Sequence, residues 1–194
     1  MVAQPYRLLM SVDEYLALER SSSEERYEFI DGYAYMLAGG TADHSIIKQN
    51  IASLIRNQLR GSPCRVYDSD MKVRLSEKRY VYPDVSVTCD SRDRGRVDIV
   101  QSPRLIVEVL SPSTEAKDRG KKFSYYRACP TVEEYVLVDT QQKSIEVYQR
   151  EQHPFWKLSP FGPGDEVVLT SLGISFPLAS VYEDVIFLED NSST

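Results

Sequence analysis

In Leu105-Ile106-Val107-Glu108-Val109-Leu110 a single glutamate interrupts an otherwise apolar run, and period-two alternation puts it on the same face as Ile106 and Leu110. Burying an unpaired carboxylate costs several kcal/mol, so a glutamate here is expected to be protonated, paired with a Lys or Arg on an adjacent strand, or bound to a cation. A second carboxylate follows Pro83 in Tyr80-Val81-Tyr82-Pro83-Asp84-Val85-Ser86-Val87. Alternation there assigns Val81, Pro83, Val85 and Val87 to one face and Tyr82, Asp84, Ser86 and Thr88 to the other. If the two strands are neighbours, Asp84 and Glu108 can converge on one oxygen-ligated divalent ion. Magnesium suits such a pair, because it takes one or two carboxylates together with water and substrate phosphate, and Mn²⁺ can stand in for it. Taken alone, Asp84 is equally well an exposed strand residue after a proline.

These carboxylates must be positioned by the elements around them. Ser11-Val12-Asp13-Glu14 has the form of a capping box and predicts a helix from Val12 to about Arg20. Tyr27-Glu28-Phe29-Ile30 and Tyr33-Ala34-Tyr35-Met36 flank Asp31-Gly32, a type I′ hairpin signal that pairs Glu28 with Tyr35. Ile47, Ile51, Leu54 and Ile55 recur at helical spacing in a segment from His44 to Leu59, which Thr41 or Asp43 can cap. Strand-like runs follow at Cys64 to Leu75, Tyr80 to Cys89 and Leu105 to Leu110, with Ser91 to Arg96 as a charged loop. Ala116 to Cys129 reads as a helix closed by Pro130, and Glu134 to Asp139 with Ser144 to Gln149 as a second hairpin. The remainder predicts one more strand and a closing helix or loop, with Asn191 to Thr194 as a frayed tail. No repeat or linker divides the chain, so one α/β domain is expected over residues 1–194, with its core at about 11–187.

Composition narrows the chemistry. The 194 residues, 42% hydrophobic, suffice for a substantial core. Cys64, Cys89 and Cys129 are odd in number and widely spaced, which predicts buried, reduced thiols rather than a disulfide framework. Two histidines, His44 and His153, cannot build a four-ligand zinc site without paired cysteines, so any metal should be held by carboxylates. MVAQPYRLLM lacks the apolar segment of a secretory signal, and no run approaches the roughly 18 apolar residues of a membrane span, so the expected location is the cytoplasm. The formal charge of −6 argues against coating nucleic acid non-specifically. Any such contact must use a local patch, and Lys117, Arg119, Lys121, Lys122 and Arg127 supply one, or else a solvated helix face. No Gly-rich phosphate loop, G-x-S-x-G elbow or H-E-x-x-H pair is present.

Several motifs in order, RYEFIDG (Arg26 to Gly32), His44 at a helix start, YPDVSV (Tyr82 to Val87), EVLSPST (Glu108 to Thr114), DRGKKF (Asp118 to Phe123) and EYVLVD (Glu134 to Asp139), resemble the Uma-two family, whose members are assigned to restriction endonucleases. The resemblance spans roughly Ser11 to Val185. It implies the PD-(D/E)XK nuclease superfamily: a restriction-endonuclease-like, mixed central sheet flanked by helices, here with an N-terminal helix and hairpin, and metal-dependent hydrolysis of phosphodiester bonds in nucleic acid, DNA above RNA. A homodimer is compatible with it, since the superfamily often pairs two sites across a duplex.

Pro83-Asp84 and Glu108 supply the P-D and D/E of the signature, but the next signature position is Leu110 instead of lysine. The resemblance implies that Lys122, on the following helix with Asp118 and Tyr126, takes over, with Lys121 as its competitor; the alternative for Lys122 is an exposed i, i+4 pair with Asp118. Glu28 could be a third metal-side carboxylate or an edge charge that discourages aggregation. His44 could contact phosphate or orient water, or could serve the helix start alone. Asp68 and Asp70 read as solvated strand residues. The implied mechanism has Asp84 and Glu108, with Glu28, holding Mg²⁺ while Lys122 orients water or stabilises charge on the phosphate. Two other classes fit: a catalytically silent module that keeps the fold to bind nucleic acid or protein, and a scaffold whose 13 tyrosines form an oligomer interface.

Overall fold

The Ser11 capping box forms: the Ser11 N–H donates to Glu14 Oε2 at 2.6 Å and the Glu14 N–H to Ser11 Oγ at 3.3 Å. It starts α1 (Val12–Ser21), whose Tyr15 is wholly buried against Phe29 and Tyr80. The computed structural model describes residues 7–22, 25–37 and 39–187, so the expected tail at 191–194 lies outside the described residues. Asp31 and Gly32 take positive φ angles of 49° and 95°, as a type I′ turn requires, between β2 (Tyr27–Ile30) and β3 (Tyr33–Met36).

This hairpin belongs to the first of two six-stranded sheets. There β1 (Arg7–Leu9), β3, β2, β6 (Arg79–Val81), β5 (Lys72–Ser76) and β8 (Ile99–Val100) lie side by side in that order. The second sheet runs β12 (Trp156–Phe161), β11 (Ile145–Arg150), β10 (Glu134–Val138), β9 (Leu105–Val109), β7 (Val85–Thr88) and β4 (Arg65–Asp68). Within it β9 and β10 pair in parallel and the other neighbours antiparallel. A parallel pair needs a crossover, and residues 110–133 supply it with α3 (Glu115–Lys117), a π-helical turn (Asp118–Lys122) and α4 (Phe123–Ala128).

Two runs expected as single strands are each divided between the sheets. Cys64 to Leu75 turns at Asp68, whose Oδ1 accepts the Asp70 N–H at 3.0 Å, and its halves become β4 and β5. Tyr80 to Cys89 breaks at Pro83, which has no N–H to give a ladder, and yields β6 and β7. Asp84 therefore stands at the crossing between sheets and not in mid-strand. The carboxyl-terminal stretch forms three strands where one was expected, β12, β13 (Glu166–Leu169) and β14 (Ile174–Pro177), before α5 (Leu178–Val181). Ser91 to Arg96 contains a 3₁₀ turn rather than only a charged loop. There Asp93 is buried and accepts the Thr88 hydroxyl and the Gln101 and Ser102 N–H groups.

The cysteine reading is also corrected. Cys64 and Cys89 extend the β4–β7 ladder by one pair beyond Arg65 and Thr88, and they are joined as a disulfide with a Cα–Cα distance of 3.9 Å. Cross-strand pairing brings together thiols 25 residues apart in sequence, whereas Cys129 is free and buried.

The core has a distinct cluster on each face of the second sheet. On one face Ile47, Ile51 and Ile55 of α2 (Ala42–Gln58) pack with Leu105, Val107 and Val109, and β13, β14 and α5 close the cluster. On the other, Ile106 and Leu110 meet Tyr126, Tyr135 and apolar residues of the first sheet. Among the described residues no helix is long and apolar enough to cross a membrane.

Candidate active site

Glu108 projects from β9 into the layer between the sheets and the 115–128 helix, with 5% of its side chain exposed. Its Oε1 accepts two hydrogen bonds, from Lys122 Nζ at 2.8 Å and the Tyr126 hydroxyl at 2.5 Å. Continuing the β7–β9 register one residue beyond Val85–Val107 puts Asp84 opposite Glu108. Asp84 is fixed there by the Val109 N–H, which donates to Oδ2 at 2.8 Å. The break at Pro83 is what frees this carboxylate from the sheet and lets it turn onto the β9 backbone.

His44 reaches the same Asp84 oxygen, its Nε2 lying 3.3 Å away. Its own N–H donates to Thr41 Oγ1 at 3.2 Å, so Thr41, the N-cap of α2, fixes the backbone from which the ring extends. A Cβ on Gly40 would come within 2.8 Å of His44 Nδ1, so the glycine makes room for the imidazole.

Lys122 is buried beside Glu108 with 8% of its side chain exposed, while Lys121 is exposed. Besides Glu108, its ammonium lies 3.1 Å from Glu28 Oε1 and 3.6 Å from Asp118 Oδ1. Glu28 is paired with Tyr35 in the hairpin as expected, yet it is wholly buried, and its Oε2 accepts a 2.8 Å bond from Lys117. No well-aligned hydrogen bond reaches Glu28 Oε1, so Lys122 holds it by charge rather than by a directed bond.

Three carboxyl groups, Glu108, Glu28 and Asp118, thus share two ammonium groups, and Asp84 adds a fourth acidic group close enough for its charge to act on Glu108. Burial pushes Glu108 up to about 8; Lys122 opposes this, and the charges of Asp118, Asp84 and Glu28 reinforce it. Asp118 is raised as well, chiefly by burial. For Glu28, burial pushes upward too, but Lys122 and Lys117 together hold it below the usual carboxylate range. Burial disfavours the charge of Lys122, and Glu108, Glu28 and Asp118 nonetheless keep it protonated well above the ordinary lysine value. A cluster short of positive charge is chemically suited to gaining a cation.

Asp84 and Glu108 fit a divalent ion in one specific respect. Each is anchored through one oxygen, and among the described residues Asp84 Oδ1 and Glu108 Oε2 accept no hydrogen bond. Glu28 differs, having a lysine at each of its oxygens. No set of three His, Cys, Asp or Glu among the described residues is arranged to hold a metal, so the three-carboxylate ligand set expected from Asp84, Glu108 and Glu28 does not assemble; two carboxylates remain, within what Mg²⁺ ordinarily takes from a protein.

The other candidates lie elsewhere. Asp70 is exposed and pairs with Arg26 at 3.0 Å. Arg119 is taken up by Glu115 and Glu146 at 2.7 and 2.5 Å, and Arg127 lies over Phe123. Tyr15, Tyr126 and Tyr135 are wholly buried and Tyr27, Tyr80, Tyr82 and Tyr182 nearly so, which removes much of the tyrosine surface a scaffold would need. Tyr126 was given no role in the sequence, although its i+4 spacing from Lys122 was an available signal, and Lys117 was read there only as one member of a basic patch.

The family model Uma2, described as "Putative restriction endonuclease", matches residues 12–179. Two proteins of Synechocystis sp. (strain ATCC 27184 / PCC 6803 / Kazusa), both named as uncharacterized, are similar along most of their length. One, slr1290, is 38% identical over 92% of this chain and 94% of its own, and the other, sll1609, is 32% identical over 78% and 86%. A crystal structure from Anabaena variabilis ATCC 29413, described as "a putative nuclease belonging to DUF820", superposes with a TM-score of 0.74 at 19% identity, covering 90% of this chain and 98% of that one. The fold is therefore the mixed α/β arrangement of that nuclease-like neighbour, and the chain belongs to the Uma2 family.

Proposed function

We propose that the chain is a divalent-cation-dependent endonuclease that hydrolyses phosphodiester bonds in nucleic acid, with DNA as the preferred substrate. One observation carries this reading: the His44–Asp84 pair and the Glu108–Lys122–Glu28 group, drawn from α2, the Pro83 crossing, β9, the π turn and β2, are held side by side by β9, whose Val109 N–H binds Asp84 next to Glu108. A lysine on Glu108 alone would be the structural partner that any buried glutamate requires. The case for chemistry is the excess of carboxylates around that lysine and the unbonded oxygens of Asp84 and Glu108.

In this reading Asp84 and Glu108 hold Mg²⁺ or Mn²⁺. A divalent cation, when bound, supplies positive charge toward a phosphate and acidity toward water. Lys122 stands beside the two ligands, where a fixed ammonium can orient the attacking water or stabilise charge growing on the phosphate. Tyr126 fixes the rotamer of Glu108, and His44 steadies the Asp84 oxygen that Val109 also binds. Lys122 replaces the signature lysine because Leu110, two residues beyond Glu108, is committed to the core. Cleavage of both strands of a duplex would employ a homodimer, whose mass sedimentation measures.

The test is calorimetric titration of Mn²⁺ into the wild-type chain and an Asp84→Asn/Glu108→Gln variant, followed by incubation of both with plasmid DNA. Saturable binding and cleavage in the wild type, both lost in a folded variant, are expected. Binding of DNA without metal affinity or cleavage would instead favour a silent binding module, a reading that the acidic balance and the absence of a lysine at position 110 also support.

A further inference from the structure

We infer that Lys117 is a second substrate-contacting cation, binding a non-bridging phosphate oxygen of the nucleic acid beside the carboxylate pair, and that Glu28 is the counter-ion that sets Lys117 and Lys122 in register. This rests on the proposed nuclease reading and assigns a task to a residue that reading leaves unused.

The argument begins with helix geometry. On a regular α-helix, residues five apart are rotated by about 140°, so Lys117 and Lys122 could not serve one small group. The 118–122 segment is instead a π turn, in which the Phe123 N–H donates to Asp118 O, and an i→i+5 turn brings positions five apart toward the same side. Both ammonium groups consequently meet Glu28, at 2.8 Å on Oε2 and 3.1 Å on Oε1.

The two lysines are not equivalent. Lys122 is 8% exposed and shared among Glu108, Glu28 and Asp118. Lys117 is 41% exposed, and among the described residues Glu28 is its only hydrogen-bond acceptor. An ammonium has three donors, so Lys117 keeps two for a ligand arriving from solvent. Its ammonium is placed by the Tyr35 ring, whose centroid is 5.7 Å from Nζ, and by a carboxylate with no exposure of its own. Arg119, another cation of this segment, is consumed by Glu115 and Glu146. Lys117 is thus an accessible positive charge tied through Glu28 to Lys122, the partner of Glu108, and the ligand chemistry it fits is a phosphodiester oxygen.

The test measures binding apart from cleavage. The full-length chain is titrated with a short fluorescent DNA duplex in calcium at a series of salt concentrations, Mn²⁺ affinity is measured by calorimetry, and plasmid cleavage is followed in Mg²⁺. Lys117→Met should weaken duplex binding about three- to tenfold and reduce the slope of log affinity against log salt by about 0.9, the signature of one lost phosphate contact. Its Mn²⁺ affinity should match the wild type. Lys117→Met/Glu28→Gln should remain as weak, because removing the counter-ion does not restore a phosphate contact. An unchanged salt slope in Lys117→Met, or wild-type binding by the double variant, would overturn the assignment and leave Lys117 a structural partner of Glu28. In that case cleavage by the wild type keeps the nuclease reading standing; a wild type that neither binds nor cuts DNA ends both.

Discussion

Leu105, Val107 and Val109 of β9 point to one side of the sheet, where Ile47, Ile51 and Ile55 of α2 cover them with apolar side chains, while Ile106, Glu108 and Leu110 point to the other, where the 115–128 helix brings Lys122, Asp118 and Tyr126. Of these six residues only Glu108 is charged, yet the two faces are held together differently. On the α2 face each residue adds its own increment of apolar burial, non-directional and replaceable. On the Glu108 face the members depend on one another: Lys122 is tolerable in the interior because of three carboxylates, and they are tolerable because of it. Removing one charged member therefore leaves partners exposed to the full cost of burial, a property suited to a site and unhelpful in a scaffold.

The contrast can be broken most severely at Lys122. Lys122→Met should cost about 3 to 5 kcal/mol at neutral pH, because Glu28 and Asp118 lose their shared counter-charge and Glu108 loses a hydrogen-bond donor. Urea unfolding across pH would show the penalty shrinking in acid as those carboxyls take up protons, and cleavage should vanish throughout. On the opposite face, Ile51→Ala should cost about 2 to 5 kcal/mol through the cavity it leaves. That loss should be insensitive to pH, with Mn²⁺ affinity unaltered in the folded protein. Equal pH dependence of the two variants would remove the distinction between the faces.

A smaller effect sharpens the comparison through Glu108. Because burial raises its folded pKa to about 8, it binds a proton more tightly folded than unfolded. Its protonation thus contributes stability that is fully present below the unfolded value near 4.5 and is lost as the pH rises through 8. Metal binding follows the reverse direction, since the ligand must give up that proton. Mn²⁺ affinity should rise by about tenfold per pH unit between 6 and 7.5 and level off above 8, with a proton released in calorimetry when buffers of different ionisation enthalpy are compared. Smallest of all, Lys121→Ala should change neither stability nor cleavage by more than about twofold, since exposed charges contribute little, and a larger loss would return the site lysine to doubt.

Features set by near neighbours were legible in the sequence. The Ser11 capping box, the Asp31-Gly32 hairpin with its Glu28–Tyr35 pair, the isoleucine stripe of α2 and the β10–β11 hairpin depend on residues a few positions apart, and they form as the pattern predicts. Glu108 stood out for the same reason, because its strangeness is relative to its own strand. What only the tertiary structure decided were the choices made by distant partners. Pro83 and the turn at Asp68 sent the halves of two strand-like runs into different sheets, since a strand's length is limited by the neighbour it pairs with as well as by its own composition. Cys64 and Cys89 became opposed through the β4–β7 register, which no spacing rule encodes. The π turn joined Lys117 to Lys122 around Glu28, a partnership hidden from any reading at 3.6 residues per turn, because the buried carboxylate that stabilises both lysines lies about ninety residues away in the chain.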